Sequence, residues 1–208
     1  MSNIMLGDAL RELRGPIDDL FSKLTGPDGE TVWWPGFKKF LRKENPWSAW
    51  RTTKLGAFKS ADDFRVMFNQ ENCRISDWAS DLMSKPDFVK SLEGVNPDEE
   101  FDLAVMTTSE LVGENRNAST AEVFAGAERL GLKKCPAWMG PKLRLDYKNQ
   151  PKGEWLLIGM EPICYSDGHL HVFAVERHDS DLWLYSYSGY PRYVWDAGCP
   201  WVFVRPRK

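Results

Sequence analysis

The sequence predicts an α+β fold in which N-terminal helices pack on a C-terminal antiparallel β-sheet, a meander of four or more strands. Apolar residues recur at helical spacing before about residue 95, whereas after residue 154 they alternate with polar residues at a period of two. Short turn segments separate the alternating stretches, and strands joined by short gaps must be antiparallel because parallel strands need long crossovers. Helices and strands that are segregated along the chain indicate helices stacked on one sheet face.

The N-terminal region predicts several helices. Six apolar residues follow a 4-3-4-3-4 spacing, which is the stripe of an amphipathic helix: Leu6, Leu10, Leu13, Ile17, Leu20 and Leu24. Gly15-Pro16 interrupts this stripe, so we expect a kinked helix or two short ones. Another short helix is predicted to begin at Pro35, and two more lie between residues 60 and 84, the first of them capped by Ser60.

The second half of the chain predicts one strand, one helix and then the sheet. Residues 101–106 form a strand pattern, and the capping-box residues Ser119 and Glu122 open a helix that ends near Gly131. The predicted sheet strands are 155–163, 169–176, 182–187 and 201–205. The acidic stretch 93–100 is the best linker candidate. We therefore predict a helical lobe at 1–95 and an α+β lobe at 96–208. The alternative is that both parts form one compact domain.

Composition narrows the function classes. The 208 residues are 42% hydrophobic and include ten tryptophans, so a sizeable core is expected, and the net charge of −3 argues against attraction of the whole protein to nucleic acid or membrane. No apolar run could span a membrane, and residues 1–10 lack a secretory pattern. The four cysteines form no CxxC pair, which is typical of reduced thiols, so we expect a cytoplasmic protein.

Five short strings carry a resemblance that extends over nearly the whole chain. They are TGPDG at 25–29, FLRKENPW at 40–47, CPA at 135–137, GEWLLIGMEPI at 153–163 and WVFVRPRK at 201–208. Together they resemble a family of uncharacterised proteins from small-genome, uncultivated bacterial lineages. This resemblance implies no function. The family pattern does not require histidine at 169 or 171, which disfavours a catalytic role for His169 and His171.

Cys135 is the candidate nucleophile for a cysteine hydrolase or amidase. It precedes Pro136 and a possible helix start, where a helix N-terminus would lower the pKa of a thiol. His169 and His171 lie two residues apart on a predicted strand, so both would project from one face and either could act as the base. Against this reading, Gly140 and the following proline make the helix doubtful, and no orienting carboxylate or amide is identifiable.

A metal site is a second possibility in the same hairpin. His169, His171 and Cys164 are predicted to lie together, and His178 follows shortly afterwards. Zinc accepts nitrogen and sulfur ligands of this kind. No fourth ligand and no spaced ligand pair accompany them, so a half-buried aromatic role on the sheet is the simpler interpretation. We predict no metal and no cofactor, since the chain also lacks phosphate-binding and dinucleotide glycine loops.

A basic aromatic segment, residues 31–54, is the candidate binding site. Residues 31–60 hold seven Lys or Arg and one Glu, a local charge of +6 by subtraction, whereas residues 61–128 hold fifteen Asp or Glu and five Lys or Arg, a local −10. The predicted contact residues are Trp33, Trp34, Lys38, Lys39, Arg42, Lys43, Trp47 and Arg51. Cations for phosphates combined with flat rings for base stacking are what single-strand binders use. A helix with an aromatic core face and a solvated basic face would give the same pattern.

The function indicated by these observations is a cytoplasmic, non-enzymatic binding or interaction protein. Its partner is unknown; the basic aromatic segment suits nucleic acid or an acidic protein, because surfaces of aromatic residues and arginine serve both. The alternative is the cysteine hydrolase with Cys135 and one strand histidine. No membrane partner is expected.

Replacing Lys38, Lys39, Arg42 and Lys43 with Glu should abolish binding to single-stranded RNA or DNA without unfolding the protein, since swaps of exposed charges seldom cost much stability. The affinity of the unaltered protein should fall steeply with salt, because each neutralised phosphate releases roughly one counterion. Anisotropy titrations at several salt concentrations measure both effects. Absence of binding at low salt would exclude nucleic acid as the partner.

Overall fold

A computed structural model describes residues 15–27, 37 and 49–207 and divides the chain into two units, residues 1–48 and 49–208. In the first unit a helix spans residues 15–25, so the described half of the predicted leucine stripe is helical from Gly15 onwards. The earlier half of that stripe and the predicted helix at Pro35 lie outside the described residues. No helix in the described part of the chain is long and apolar enough to cross a membrane.

The second unit alternates helices and strands along the chain. Its helices are α1 (Ala61–Gln70), α2 (Asp77–Met83), α3 (Pro86–Leu92), α4 (Thr108–Val112), α5 (Thr120–Arg129) and α6 (Met139–Asp146). Its strands are β1 (Arg51–Lys54), β2 (Cys73–Ile75), β3 (Glu100–Thr107), β4 (Ala118–Ser119), β5 (Trp155–Ile158), β6 (Ile163–Cys164), β7 (Leu170–His178), β8 (Asp181–Ser188), β9 (Val194–Trp195) and β10 (Pro200–Arg205).

The main sheet has eight strands and is mixed. Seven strands lie in the order β1-β3-β10-β5-β7-β8-β2, and β6 pairs with β7 at the side. Most neighbours are antiparallel, but β10 runs parallel to β5 and β2 runs parallel to β8. The separate pair β4 and β9 forms a small antiparallel sheet.

This architecture corrects the predicted fold class. The protein is α+β, but the predicted arrangement, N-terminal helices stacked on a C-terminal antiparallel meander, is wrong. Helices alternate with strands along the chain, and β10 inserts between β3 and β5. The cause is the composition of β10, whose run from Trp201 to Val204 is buried on both faces. A strand that is apolar on both faces is most stable inside a sheet, where helices cover it from both sides.

The predicted helix caps and one predicted hairpin are confirmed. Ser60 and Ser119 cap α1 and α5 with reciprocal capping boxes, which satisfy free N–H groups at the helix starts. The β7–β8 hairpin is antiparallel as predicted, with Val172 opposite Tyr187 and Val175 opposite Leu184. The strands β1 and β2, of four and three residues, were missed because so short a run shows no periodicity.

Each face of the sheet is covered by different elements. On one face, α6 approaches β7 so closely that a Cβ at Gly140 would lie 2.7 Å from the Cβ of Phe173. On the other face, the ring of Phe124 on α5 packs edge-on against Trp201 at 5.9 Å. The indole of Trp201 donates a hydrogen bond to Thr108 Oγ1 at 3.2 Å, which ties the start of α4 to the central strand.

Helices α4 and α5 make a close contact that requires glycine. A Cβ added at Gly126 would lie 2.7 Å from the carbonyl carbon of Leu111. Real Cβ atoms do not come this close to backbone, and the obstruction belongs to the main chain of a helix rather than to a flexible side chain. One of the two helices would therefore have to shift.

Replacing Gly126 with Ala should lower the free energy of unfolding by about 1–3 kcal/mol, the usual cost of overpacking a tight core. The matched control is Gly198→Ala, because a Cβ at exposed Gly198 meets nothing within 4 Å. Urea denaturation of both variants measures the difference. Equal stability of the two variants would show that α4 and α5 are too far apart for a Cβ at Gly126 to meet the backbone of Leu111.

Candidate ligand-binding face

Of the eight predicted contact residues in the basic aromatic segment, one, Arg51, lies in the described part of the chain. Trp33, Trp34, Lys38, Lys39, Arg42, Lys43 and Trp47 lie outside the described residues, so their arrangement remains a prediction. Arg51 begins β1, where its guanidinium donates hydrogen bonds to Asp146 O and Asn149 Oδ1, both at 3.3 Å. The same guanidinium lies 4.6 Å from the ring centroid of Tyr147. Arg51 therefore already has intramolecular partners.

Cys135 is a buried thiol rather than part of a nucleophile–base pair. Its Sγ donates to Val202 O at 3.4 Å, and burial raises the pKa of this thiol far above its usual value. Among the described residues no imidazole makes a hydrogen bond to it. Neither His169 nor His171 makes a hydrogen bond to Cys135, so the cysteine hydrolase stays a prediction without a formed nucleophile–base pair.

The two candidate histidines occupy different environments. His169 precedes β7 in an exposed turn, with Nδ1 2.9 Å from Asp167 Oδ2. His171 is buried on β7, where its ring packs edge-on against Trp78 at 5.2 Å and its Nδ1 lies 3.4 Å from Ser186 Oγ. Cys164 is exposed on β6. Within the described ranges no three His, Cys, Asp or Glu side chains cluster as a metal site would require.

The most distinctive side-chain cluster lies on the sheet face that α5 covers only in part. Strand register places Glu176 of β7 directly opposite Trp155 of β5 on one side and Trp183 of β8 on the other. Directly opposite residues share a sheet face, and so do alternate residues along a strand. Tyr185 and Tyr187 therefore extend this group. We call these five residues the aromatic face: Trp155, Glu176, Trp183, Tyr185 and Tyr187.

The rings of the aromatic face contact one another while staying partly open to solvent. Trp155 and Tyr187 have ring centroids 5.6 Å apart, and Trp183 stacks on Tyr185 at 5.1 Å. Tyr187 is 36% exposed, and Trp155, Trp183 and Tyr185 are half-buried. By contrast, Trp138, Trp195 and Trp201 are buried. Rings that are half-covered on a sheet leave apolar surface available to a partner.

Glu176 provides a carboxylate in the middle of these rings. Its side chain is buried, and Oε2 lies 2.6 Å from Nε2 of His178. Its second oxygen, Oε1, is buried without a hydrogen-bond partner. Burial and the neighbouring Glu176 raise the pKa of Tyr187 above its usual value, which places the Tyr187 hydroxyl next to this carboxylate. Oε1 thus makes no hydrogen bond of regular geometry, and the Tyr187 hydroxyl is the donor group that lies close to the carboxylate.

The opposite side of the same strand is anchored by Arg144 of α6. Its buried guanidinium donates to Glu176 O at 3.0 Å and also to Gln150 Oε1 and Tyr147 O. Gln150 in turn donates to Val175 O at 3.1 Å. These bonds fix the backbone of β7 at the residue that carries the carboxylate, so Glu176 projects from a rigid position.

Sequence reasoning missed this face even though part of its signal is visible. Trp183, Tyr185 and Tyr187 alternate at a period of two, which places three large rings on one side of a strand. The role of Glu176 depends on cross-strand register with β5, which no pattern within one strand reveals. A scan against protein-family models and searches of curated proteins and of solved structures found no match to this chain.

The buried His171 predicts a pH dependence of stability. Burial lowers the pKa of His171. Below about pH 6.5, the ordinary histidine pKa, His171 therefore binds a proton more readily in the unfolded chain than in the folded protein. The free energy of unfolding should therefore fall as the pH is lowered from 7 to 5. His171→Phe should flatten this slope, whereas Gly198→Ala, which alters no titratable group, should leave it unchanged. Urea denaturation across this pH range is the measurement, and equal slopes in all three proteins would contradict the assignment.

Proposed function

We propose that this protein is a binding protein that recognises a positively charged organic group on its aromatic face. The single observation that supports this proposal most strongly is Glu176, a buried carboxylate with one unpartnered oxygen, held between two tryptophans. The aromatic rings offer electron-rich faces, and the carboxylate offers a full negative charge. Both attract a cation, and aromatic cages for quaternary ammonium groups combine such elements.

The face already holds one cation, which supports its preference for positive charge. The guanidinium of Arg74 lies 5.4 Å from the ring centroid of Trp183 and pairs with Asp181 at 3.1 Å. Asp181 and Glu176 repel phosphate, so a nucleic-acid backbone is a poor ligand for this surface. A neutral apolar ligand would cover the rings but would bring no positive charge to the carboxylate of Glu176.

Ligand entry requires a small movement of one side chain. Oε1 of Glu176 is covered, and the Tyr187 hydroxyl lies next to it. Because Tyr187 is 36% exposed, rotation of its ring toward solvent would uncover the carboxylate while the backbone of the sheet stays in place. A cation that enters there replaces the phenol beside the carboxylate and contacts both indoles.

The aromatic face should bind choline more tightly than its neutral carbon isostere 3,3-dimethyl-1-butanol. Choline should shift the indole N–H signals of Trp155 and Trp183 in NMR titrations, and the isostere should bind at least about tenfold more weakly, a difference of about 1.4 kcal/mol. Glu176→Gln should weaken choline binding by a similar factor, because it removes the charge but keeps the shape. The control is Glu99→Gln, which alters an exposed carboxylate outside the face.

Equal shifts with choline and the alcohol would contradict a site that recognises charge. Unchanged choline affinity in Glu176→Gln would exclude Glu176 as the counter-ion. Shifts confined to other tryptophans would place binding elsewhere on the protein.

A further inference from the structure

The exposed rings around Glu176 cover more surface than one small cation fills. Trp183 and Tyr187 lie four residues apart on β8, so at the usual strand rise of about 3.3 Å per residue their Cα atoms are about 13 Å apart. The ring of Tyr187 also lies 6.5 Å from that of Trp195, which contacts the ring of Tyr193 at 4.7 Å. Tyr193 is 46% exposed. The aromatic face therefore continues to Tyr193, and the length of this row of rings suits an extended ligand.

Two tryptophans of this row have indole N–H groups without an acceptor. Within the described part of the chain, neither Trp155 nor Trp183 donates a hydrogen bond from its Nε1 atom, and neither Nε1 atom is buried. By contrast, the buried Trp195 donates from Nε1 to Thr120 Oγ1 at 2.9 Å. An indole N–H acts as a donor only. Both open indoles are therefore free to donate to carbonyl oxygens of a ligand that lies across the rings.

Negative charge is placed at the Trp183 end of the row. Glu176 lies directly opposite Trp183, and Asp181 precedes Trp183 by two residues on the same face of the strand. Arg74 shows how a cation is held here, since its guanidinium lies 5.4 Å from the ring centroid of Trp183 and its Nε lies 3.1 Å from Asp181 Oδ2. A ligand that is cationic at one end and uncharged along the rest of its length matches this distribution of charge.

The polyproline II helix combines the remaining properties that this surface selects for. Its backbone makes no internal hydrogen bonds, so its carbonyl oxygens are free to accept from the indole N–H groups. Aromatic-lined grooves are the usual sites for proline-rich segments. An added β-strand would instead bind a sheet edge through backbone groups, whereas these rings project from the face of the sheet. A guanidinium suits the carboxylate end, because arginine stacks on aromatic rings and pairs with carboxylates.

We propose that the partner of the aromatic face is a proline-rich peptide segment in polyproline II conformation with an arginine at one end. This inference rests on the proposed function, since the arginine supplies the cation that Glu176 attracts. Its guanidinium lies between Trp155 and Trp183, and the prolines cover the rings of Tyr187 and Tyr193. At about 3.1 Å per residue, about four residues of such a segment span the distance from Trp183 to Tyr187.

The first experiment compares three labelled synthetic peptides of equal length in anisotropy titrations with the full-length chain. One peptide has an arginine followed by six prolines, the second has an arginine followed by alternating glycine and serine, and the third has a glutamate followed by six prolines. The first should bind at least about tenfold more tightly than either of the others, because the second lacks the preformed extended conformation and the third lacks the cation. It should also shift the indole N–H signals of Trp155 and Trp183 in NMR spectra.

The second experiment separates the proline contacts from the cation contact. Tyr193→Ala should weaken binding of the arginine–proline peptide about tenfold, because a stacking ring is lost. It should leave choline affinity unchanged, since Tyr193 contacts Trp195 rather than the rings next to the carboxylate. Tyr193→Phe keeps the ring and should retain tight binding. The matched control is Tyr190→Ala, which removes an exposed tyrosine that lies beside His169 and should bind both ligands as the unaltered protein does.

Equal affinity for the arginine–proline and arginine–glycine–serine peptides would overturn the proline-rich partner, and so would unchanged peptide affinity in a folded Tyr193→Ala variant. Choline binding together with either result would leave the cation site of the proposed function in place. Equal affinity for the arginine–proline and glutamate–proline peptides would overturn the inference as well, and if choline also failed to bind, the cation site itself would be excluded. Urea denaturation confirms that each variant is folded, and the peptide comparison needs the unaltered protein alone.

Discussion

The hydrogen bonds of the buried Arg144 guanidinium join a helix, a loop and a strand of the second unit. They connect the end of α6, the loop that contains Tyr147 and Gln150, and the middle of β7. Loss of the guanidinium would therefore remove a hydrogen-bond donor from each of the three acceptor oxygens. The position of α6 on the sheet and the fixed backbone at Glu176 both follow from this one side chain.

The two faces of the sheet differ in how completely helices cover them. On the face carrying Phe173, α6 lies against the sheet and the charged network is buried beneath the helix. On the face carrying Trp201, α5 covers only the part near β10, and the rings around Glu176 remain partly open. Incomplete cover thus leaves apolar ring surface open to solvent on one face, while the other face supplies rigidity.

Features determined by neighbours in sequence could be predicted, and features determined by distant neighbours could not. The caps at Ser60 and Ser119 and the hairpin of β7 and β8 depend on residues a few positions apart. The central position of β10 depends on pairing with strands far away, although its uninterrupted apolar run was a usable sign of an interior strand. For the candidate site, the alternating rings of β8 were visible in sequence. The partnership of Glu176 with Trp155 needed the register between two strands.

The interior position of β10 has a consequence for the growing chain. The strands β3 and β5 flank β10, yet both are complete before residues 200–205 exist, so each presents a row of unpaired backbone groups while the later chain is made. At typical rates of synthesis, the interval between the end of β5 and the start of β10 lasts about 2–8 s. During that time β3 and β5 have open edges that other chains or chaperones are able to pair with. Correct assembly therefore requires that the facing edges of β3 and β5 stay unpaired until β10 has been synthesised.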